Sequence, residues 1–485
     1  MFGSPAVARR RRALVVAASL LAVPVASAPG QTSFGAQSPA PSSPSTDRSG
    51  ARSPLDVLVE SGLRQNLGRR QQLIAVQRAD AAVREARGRY LPAATFNTRY
   101  SQYSGNTINM GTLINPAFDA LNHLLGRPAF PTDIDMSLPM RTETTVRLAQ
   151  PIFQPAILAA HRAQSALADA QVAQRDVQAR QLAADIKSGY LTYAKVRQVV
   201  AMYDSTLLLL DEQVRVSERL VQAGKATPDM ILRARAERSD VQQRRDESVQ
   251  LADASREALN LLLNRPLAED VALIAEGELG FDSLPPLDAL RRGATLGREE
   301  LRQVEHARRA VAAQERLAQG NFLPSVSVAL DYGVQGKEYR FDRSRDYSAL
   351  SFVVSWNLFN GGQDAARIQQ AALDGRRLEV QREELQQLIA LDVTTAWQSA
   401  AVARSGVRTA EDRLQSARRT FELVRRKQEE GAASQLEFLD ARTTFTNAAL
   451  NLVITRYDYY LRRVALERAA ASYDLSGATG AVGRR

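Results

Sequence analysis

The sequence predicts a mixed fold, four β-strands and long coiled-coil helices arranged as two internal repeats. Three observations predict it. The same series of segments occurs twice in the same order. Four stretches of about 10 to 12 residues alternate apolar and polar side chains with period two. Two runs of about 67 residues, rich in Ala, Gln, Arg and Leu, contain no proline, and each would measure roughly 100 Å as a helix. Aromatic residues make up only 6% of the chain, which suits long helices better than compact packed layers.

The repeat is read from three matches. "EARGRYLPAATFNTRY" (85–100) corresponds to "LAQGNFLPSVSVALDY" (317–332), aligning Pro92 with Pro324 and Tyr100 with Tyr332. "VRLAQPIFQPA" (146–156) corresponds to "FVVSWNLFNGG" (352–362), aligning Phe153 with Phe359. "VQAGKATPDMILRARA" (221–236) corresponds to "QEEGAASQLEFLDART" (428–443), aligning Gly224 with Gly431 and Arg235 with Arg442. The offset is 232 residues at the first match and 206 to 207 at the later two, so the first copy holds about 26 extra residues between its strands. They fall within 104–140, a Gly/Pro/Asn-rich stretch expected to be a loop, where extra length costs little closure entropy.

The elements follow in order. Residues 1–28 contain a basic start, a short apolar centre and a small-residue end, the three parts of a secretory signal peptide. The apolar part, Ala13 to Val23, is too short to span a bilayer. Residues 29–54 are rich in Pro, Ser and Gly and are expected to be a disordered leader. The first repeat is assigned to 55–270, the second to 271–475, and a tail to 476–485.

In the first repeat a helix over Gln71 to Arg89 leads into a strand carrying Phe96 and Tyr100, and a second strand covers Arg141 to Ile152. Its counterparts are a helix over Arg298 to Gln319, a strand from Phe322 to Tyr332 and a strand whose alternation runs from Leu350 to Phe359. Charged groups on one face and aromatic groups on the other suit a barrel with a wet interior and a lipid-facing exterior. Four strands cannot close a barrel, so the chain must oligomerise if this reading holds. The long helices, Ile157 to Ala223 and Gln363 to Glu430, are followed by glycine turns and shorter return helices, Pro228 to Leu263 and Ser434 to Ser472. Leu207, Leu210 and Val214 match Leu414, Ala417 and Phe421 in the three-four rhythm of a coiled-coil seam. Gly224 and Gly431 read as helix C-caps. A Pro-rich segment, Arg265 to Pro286, would bulge at mid-height.

Charge excludes some functions. The formal charge is +10 and falls to +6 without residues 1–28, and the arginines alternate with acids along helical faces. That is a solvated surface rather than a phosphate-binding stripe, so no nucleic-acid partner is expected. No cysteine is present, so no disulfide forms. His123, His161 and His306 lie on separate stretches without metal-ligand spacing. No enzyme activity and no cofactor is expected.

"RYLPA" and "NFLPSVSV" opening strands, "QPIFQPA" and "WNLFNGG" passing from strand to helix, and the two glycine turns together resemble the outer-membrane efflux protein (TolC) family, over nearly all of residues 55–475. The resemblance implies a homotrimer with a twelve-stranded β-barrel in the outer membrane of a Gram-negative bacterium and an α-helical barrel hanging below as a periplasmic tunnel. It implies an exit channel for a tripartite efflux or type I secretion system. The implied partners are a periplasmic adaptor (membrane fusion) protein, an inner-membrane RND or ABC transporter, and outer-membrane lipid. It places Pro151, Phe153, Phe359, Gly361 and Gly362 at the strand-to-helix junctions. It places adaptor contacts around Gly224, Lys225, Thr227, Asp229, Gly431, Ser434 and Gln435. It also makes Glu437 and Asp440 the matching residues of an acidic ring at the periplasmic aperture, where trimer symmetry would gather six carboxylates and like-charge repulsion would raise some of their pKa values. Where some relatives have an arginine that latches the mouth, this chain has Ala432, Ala433 and Ser434.

A second reading stays open at this point, a periplasmic coiled-coil scaffold without channel activity. It accounts for the helices and the signal but not for the strands that feed into them. Whether the exported substrate is a drug, a metal or a protein is likewise open.

Overall fold

Proline-free, Ala-rich sequence propagates a helix until a residue that favours another conformation stops it, and here the stops are glycines and prolines at repeat-related places. The computed structural model describes residues 53–104, 108–135, 137–138, 141–279, 283–336 and 345–475. The expected signal at 1–28, the expected leader up to Arg52, the segment 337–344 and the tail at 476–485 lie outside these residues.

The first repeat opens with α1 (Pro54–Gln65), one residue inside the expected leader, because the Ser53 side chain accepts the Leu55 N–H and Pro54 occupies the first helical turn. Next come α2 (Leu67–Gly88), β1 (Ala93–Tyr100), a two-residue β2 (Ile108–Asn109), α3 (Met110–Leu125), β3 (Ser137–Leu138) and β4 (Thr142–Phe153). The described part of the extra segment is therefore not the plain loop expected. Asn109 caps α3 by accepting the Gly111 N–H, Gly126 ends it in the left-handed region, and β2 pairs with β3. Then come α4 (Pro155–Gln222) and α5 (Asp229–Leu263).

The second repeat comprises α6 (Leu287–Gly297), α7 (Glu299–Gly320), β5 (Ser325–Gly336), β6 (Asp346–Ser355), α8 (Gln363–Glu429) and α9 (Gln435–Ala469). At 68 and 67 residues, α4 and α8 match the length read from sequence. Helices α1 and α6 were not anticipated, and α9 stops three residues short of Ser472.

Each return helix is extended by another helix stacked on its end. At the α1–α2 boundary the Asn66 side-chain amide donates to the Leu262 carbonyl at the end of α5, at 2.8 Å. At the α6–α7 boundary the Arg298 guanidinium donates to the Ala469 carbonyl at the end of α9, at 3.0 Å. The two donors are 232 residues apart and the two acceptors 207, so a joint is conserved between repeats while its side chain is not. Around the first joint Leu63, Ile186, Leu259, Leu263 and Tyr459 are fully buried in one cluster. Around the second, Ile389, Val393 and Ala294 form a smaller one. Truncating Ile186 to Ala would cost about 3 kcal/mol. The mid-height segment docks by the Ile274 N–H, which donates to the Tyr190 hydroxyl at 2.6 Å.

The four long strands form one antiparallel sheet in the order β1-β4-β5-β6. Opposed residues put Phe96, Val146 and Tyr332 in one row and Leu148, Leu330 and Leu350 in the next, all on one exposed apolar face. The other face carries two cross-strand ion pairs, Arg99 with Glu143 at 2.5 Å and Arg147 with Asp331 at 3.6 Å. Strand β6 ends at Ser355 rather than Phe359, because its partner begins at Ser325, directly after Pro324, and offers no further ladder.

Candidate functional site

Two places expected from the sequence to be functional have unusual backbone, the strand-to-helix junctions and the hairpin tips.

At the first junction Pro151 lies where the β4–β5 register shifts between Pro151 and Phe153, a bulge that suits a residue lacking an N–H. Gln154 then caps α4 in extended conformation and Pro155 starts the helix. At the second, Gly361 and Gly362 both have positive φ, +69° and +81°, and turn the chain from β6 into α8. Phe153 and Phe359 are exposed beside these turns.

The second junction has a hub that sequence reasoning missed. Asp364, only 4% exposed, accepts from the Asn321 amide at 3.1 Å, from the Asn360 amide and from Arg367 at 3.3 Å. It thereby joins the end of α7, the glycine turn and the first turn of α8. A carboxylate there also suits the helix N-terminus. Its counterpart in the first repeat is Leu158, so the duplication gave no signal for it.

The tips share one geometry. Gly224 has φ +70° and Gly431 has φ +72°. In the first, the Gly224 N–H donates to the Val221 carbonyl and the Lys225 N–H to the Leu220 carbonyl. In the second, Gly431 donates to Gln428 and Ala432 to Lys427. This is the Schellman pattern, which satisfies the last carbonyls of each long helix.

The return helices start differently. Thr227 donates to the Asp229 carboxylate beside Pro228, which caps α5 without a side-chain bond. Ser434 caps α9 in a full capping box with Glu437: the Ser434 N–H donates to Oε2 at 2.8 Å, and the Glu437 N–H donates to the Ser434 hydroxyl at 3.2 Å. Those bonds, the Ser434 backbone N–H first, hold the exposed Glu437 carboxyl below the usual glutamate range. The S-x-x-E spacing at 434–437 was the available signal for this box. Lys225, Thr227, Asp229, Ser434 and Asp440 are exposed, while Gln435 is half-buried and accepts from Gln428 at 2.5 Å. Glu437 and Asp440 share a groove between α8 and α9 with Arg413 and Lys427, so the expected acidic pair sits among cations within the chain.

Among the described residues no group of His, Cys, Asp and Glu is placed to hold a metal ion, and no helix is long and apolar enough to cross a membrane.

Comparison with known proteins follows this geometry. Residues 290–472 match the family model described as outer membrane efflux protein. The outer membrane efflux protein BepC of Brucella suis is 21% identical over 305 residues, 60% of this chain and 62% of that protein. The probable efflux pump outer membrane protein TtgC of Pseudomonas putida is 23% identical, over 59% of this chain and 60% of its own. The match to these relatives thus spans about three fifths of their length. Among solved structures, CusC superposes with a TM-score of 0.71 at 18% identity, over 86% of this chain and 91% of its own. The MtrE outer membrane channel of Neisseria gonorrhoeae gives 0.69 at 18% identity, over 86% and 89%. At such identities these likenesses show the fold, a TolC-like one with a four-stranded sheet and long helical hairpins.

Proposed function

From a chain that resembles the outer membrane efflux proteins in sequence across its second repeat and shares the TolC-like fold over most of its length, we propose that it is the outer-membrane exit channel of a tripartite efflux or type I secretion system. Three copies would close a twelve-stranded barrel in the outer membrane of a Gram-negative bacterium. Substrates would pass from an inner-membrane RND or ABC pump, through a periplasmic adaptor docked at the tips, to the exterior. One observation carries this reading: a sheet with an exposed apolar face, an ion-paired polar face and two open edges leads directly into helices of roughly 100 Å. A scaffold confined to the periplasm would leave that apolar face in water, which disfavours it.

Glu437 and Asp440 are the proposed aperture carboxylates. Six of them near the axis would favour cations, against the neutralising Arg413 and Lys427 of the same groove. The exposed residues around Gly224 and Gly431 form the proposed adaptor surface. Single-channel recording in a planar bilayer tests the reading, with wild type beside Glu437→Gln/Asp440→Asn. Discrete cation-selective steps that lose selectivity in the double variant are expected. Steps unaffected by it would remove the aperture assignment, and folded protein that never conducts would remove the channel.

A further inference from the structure

The duplication specifies how a second copy would join the sheet. Resting on the homotrimeric channel reading above, we propose that edge strand β6 pairs antiparallel with edge strand β1 of a second copy in one defined register: Val354 opposite the second copy's Thr98, Phe352 opposite its Tyr100, and Trp356 opposite its Phe96.

The two hairpins within the chain already obey one rule. Phe96 opposes Val146, and their counterparts, 232 and 206 residues on, are Val328 and Phe352, which also oppose each other. Ala93 opposes Ala149, and their counterparts Ser325 and Ser355 do the same. The offsets read from sequence are therefore also the offsets of the ladder.

Among the described residues strands β4 and β5 join the two hairpins, with Val146 opposite Tyr332, Leu148 opposite Leu330 and Gln150 opposite Val328. The counterpart of β4 is β6 and that of β5 is β1, both at open edges. Translating the three pairs gives Phe352 with Tyr100, Val354 with Thr98 and Trp356 with Phe96. Two edges that repeat an internal join can be satisfied by a second copy of the same chain, which relieves the unpaired N–H and C=O groups.

The sequence beyond Ser355 supports the register independently. The alternation continues through Trp356 and Leu358, although β6 has left its own sheet. The counterpart of Trp356 is Gln150, which is inside the β4–β5 ladder. Strand β6 thus carries strand-type sequence that its own chain does not use, where the proposed register places the second copy's Phe96. All four aromatic groups of these pairs belong to the apolar face and are open, Phe96 at 67%, Tyr100 at 63%, Phe352 at 73% and Trp356 at 59% exposure. A one-residue slip would oppose Trp356 to the polar face, and a two-residue slip would keep the face but separate both aromatic pairs.

The chain has no cysteine, so paired cysteines test the register directly in the full-length, detergent-extracted protein. Thr98→Cys/Val354→Cys is oxidised beside the displaced pairs Thr98→Cys/Phe352→Cys and Thr98→Cys/Trp356→Cys. Leu148→Cys/Leu330→Cys serves as the intrachain reference. Opposed Cβ atoms stand about 5 Å apart and diagonal ones about 7 Å, so roughly tenfold more covalent dimer and trimer is expected from the first pair. Native mass of the reduced protein separates the two readings. A trimer in which a displaced pair cross-links better, or in which no pair links chains, overturns the register alone. A folded monomer overturns the register and the channel reading together.

Discussion

Arg442 on α9 pairs with Glu237 on α5, tying the second hairpin to the first, whereas its repeat counterpart Arg235 pairs with Glu218 on α4 of its own hairpin at 2.7 Å. The difference follows from two substitutions between the repeats. The counterpart of Glu218 is Arg425, which offers Arg442 no acid on its own hairpin, and the counterpart of Glu237 is Thr444, which leaves Arg235 no acid to reach for. Arg442 is 4% exposed, so its pair is the more consequential one.

Removing one partner of a buried pair leaves a charge unpaired, so Glu237→Gln is expected to cost about 3 kcal/mol. Glu218→Gln, at an exposed pair, is expected to cost under about 1 kcal/mol. Chemical denaturation of the extracted protein measures both, and equal costs would contradict the assignment.

At the second tip, the glutamate of the capping box has a depressed pKa, so its contribution is present above its ordinary pKa of 4.5 and is lost as pH falls through the lower folded value. Protection of the amides at 435–438, taken against the intrinsic exchange rate at each pH, is therefore expected to fall on acidification below that range. In Glu437→Ala the exchange should be fast at neutral pH and show no such step.

Backbone conformation alone demands glycine at both tips, since a Cβ at Gly224 or Gly431 would meet nothing within 4 Å. Gly431→Ala and Gly431→Lys are both expected to cost about 1 to 2 kcal/mol, without a steric increment for the larger side chain. Thermal denaturation of the two variants checks this, and a much lower midpoint for the lysine variant would show that the tip is crowded.

Asp364→Ala removes the acceptor shared by Asn321, Asn360 and Arg367, for an expected loss of about 3 kcal/mol. Its counterpart Leu158 is exposed, and Leu158→Ala should cost under about 1 kcal/mol. Resistance of the extracted assembly to heat reports the difference.

The sequence by itself determined what depends on neighbours in the chain. Period-two stretches located all four long strands, the proline-free runs set the lengths of α4 and α8 to within two residues, and the glycines marked both tips, because each signal is a local conformational preference. The ordered duplication also fixed the offsets that the sheet ladder reproduces. Tertiary structure decided what depends on a distant partner. Strand β6 stops at Ser355 because β5 starts after Pro324, and α3 is a capped helix within a segment that reads as a loop. Asp364 becomes a hub because α7 brings Asn321 to it. Arg442 turns to Glu237 because the fold brings that one residue of α5 within reach while Arg425 offers it no acid. A charge or an edge strand specifies only that it needs a partner, and packing selects which one.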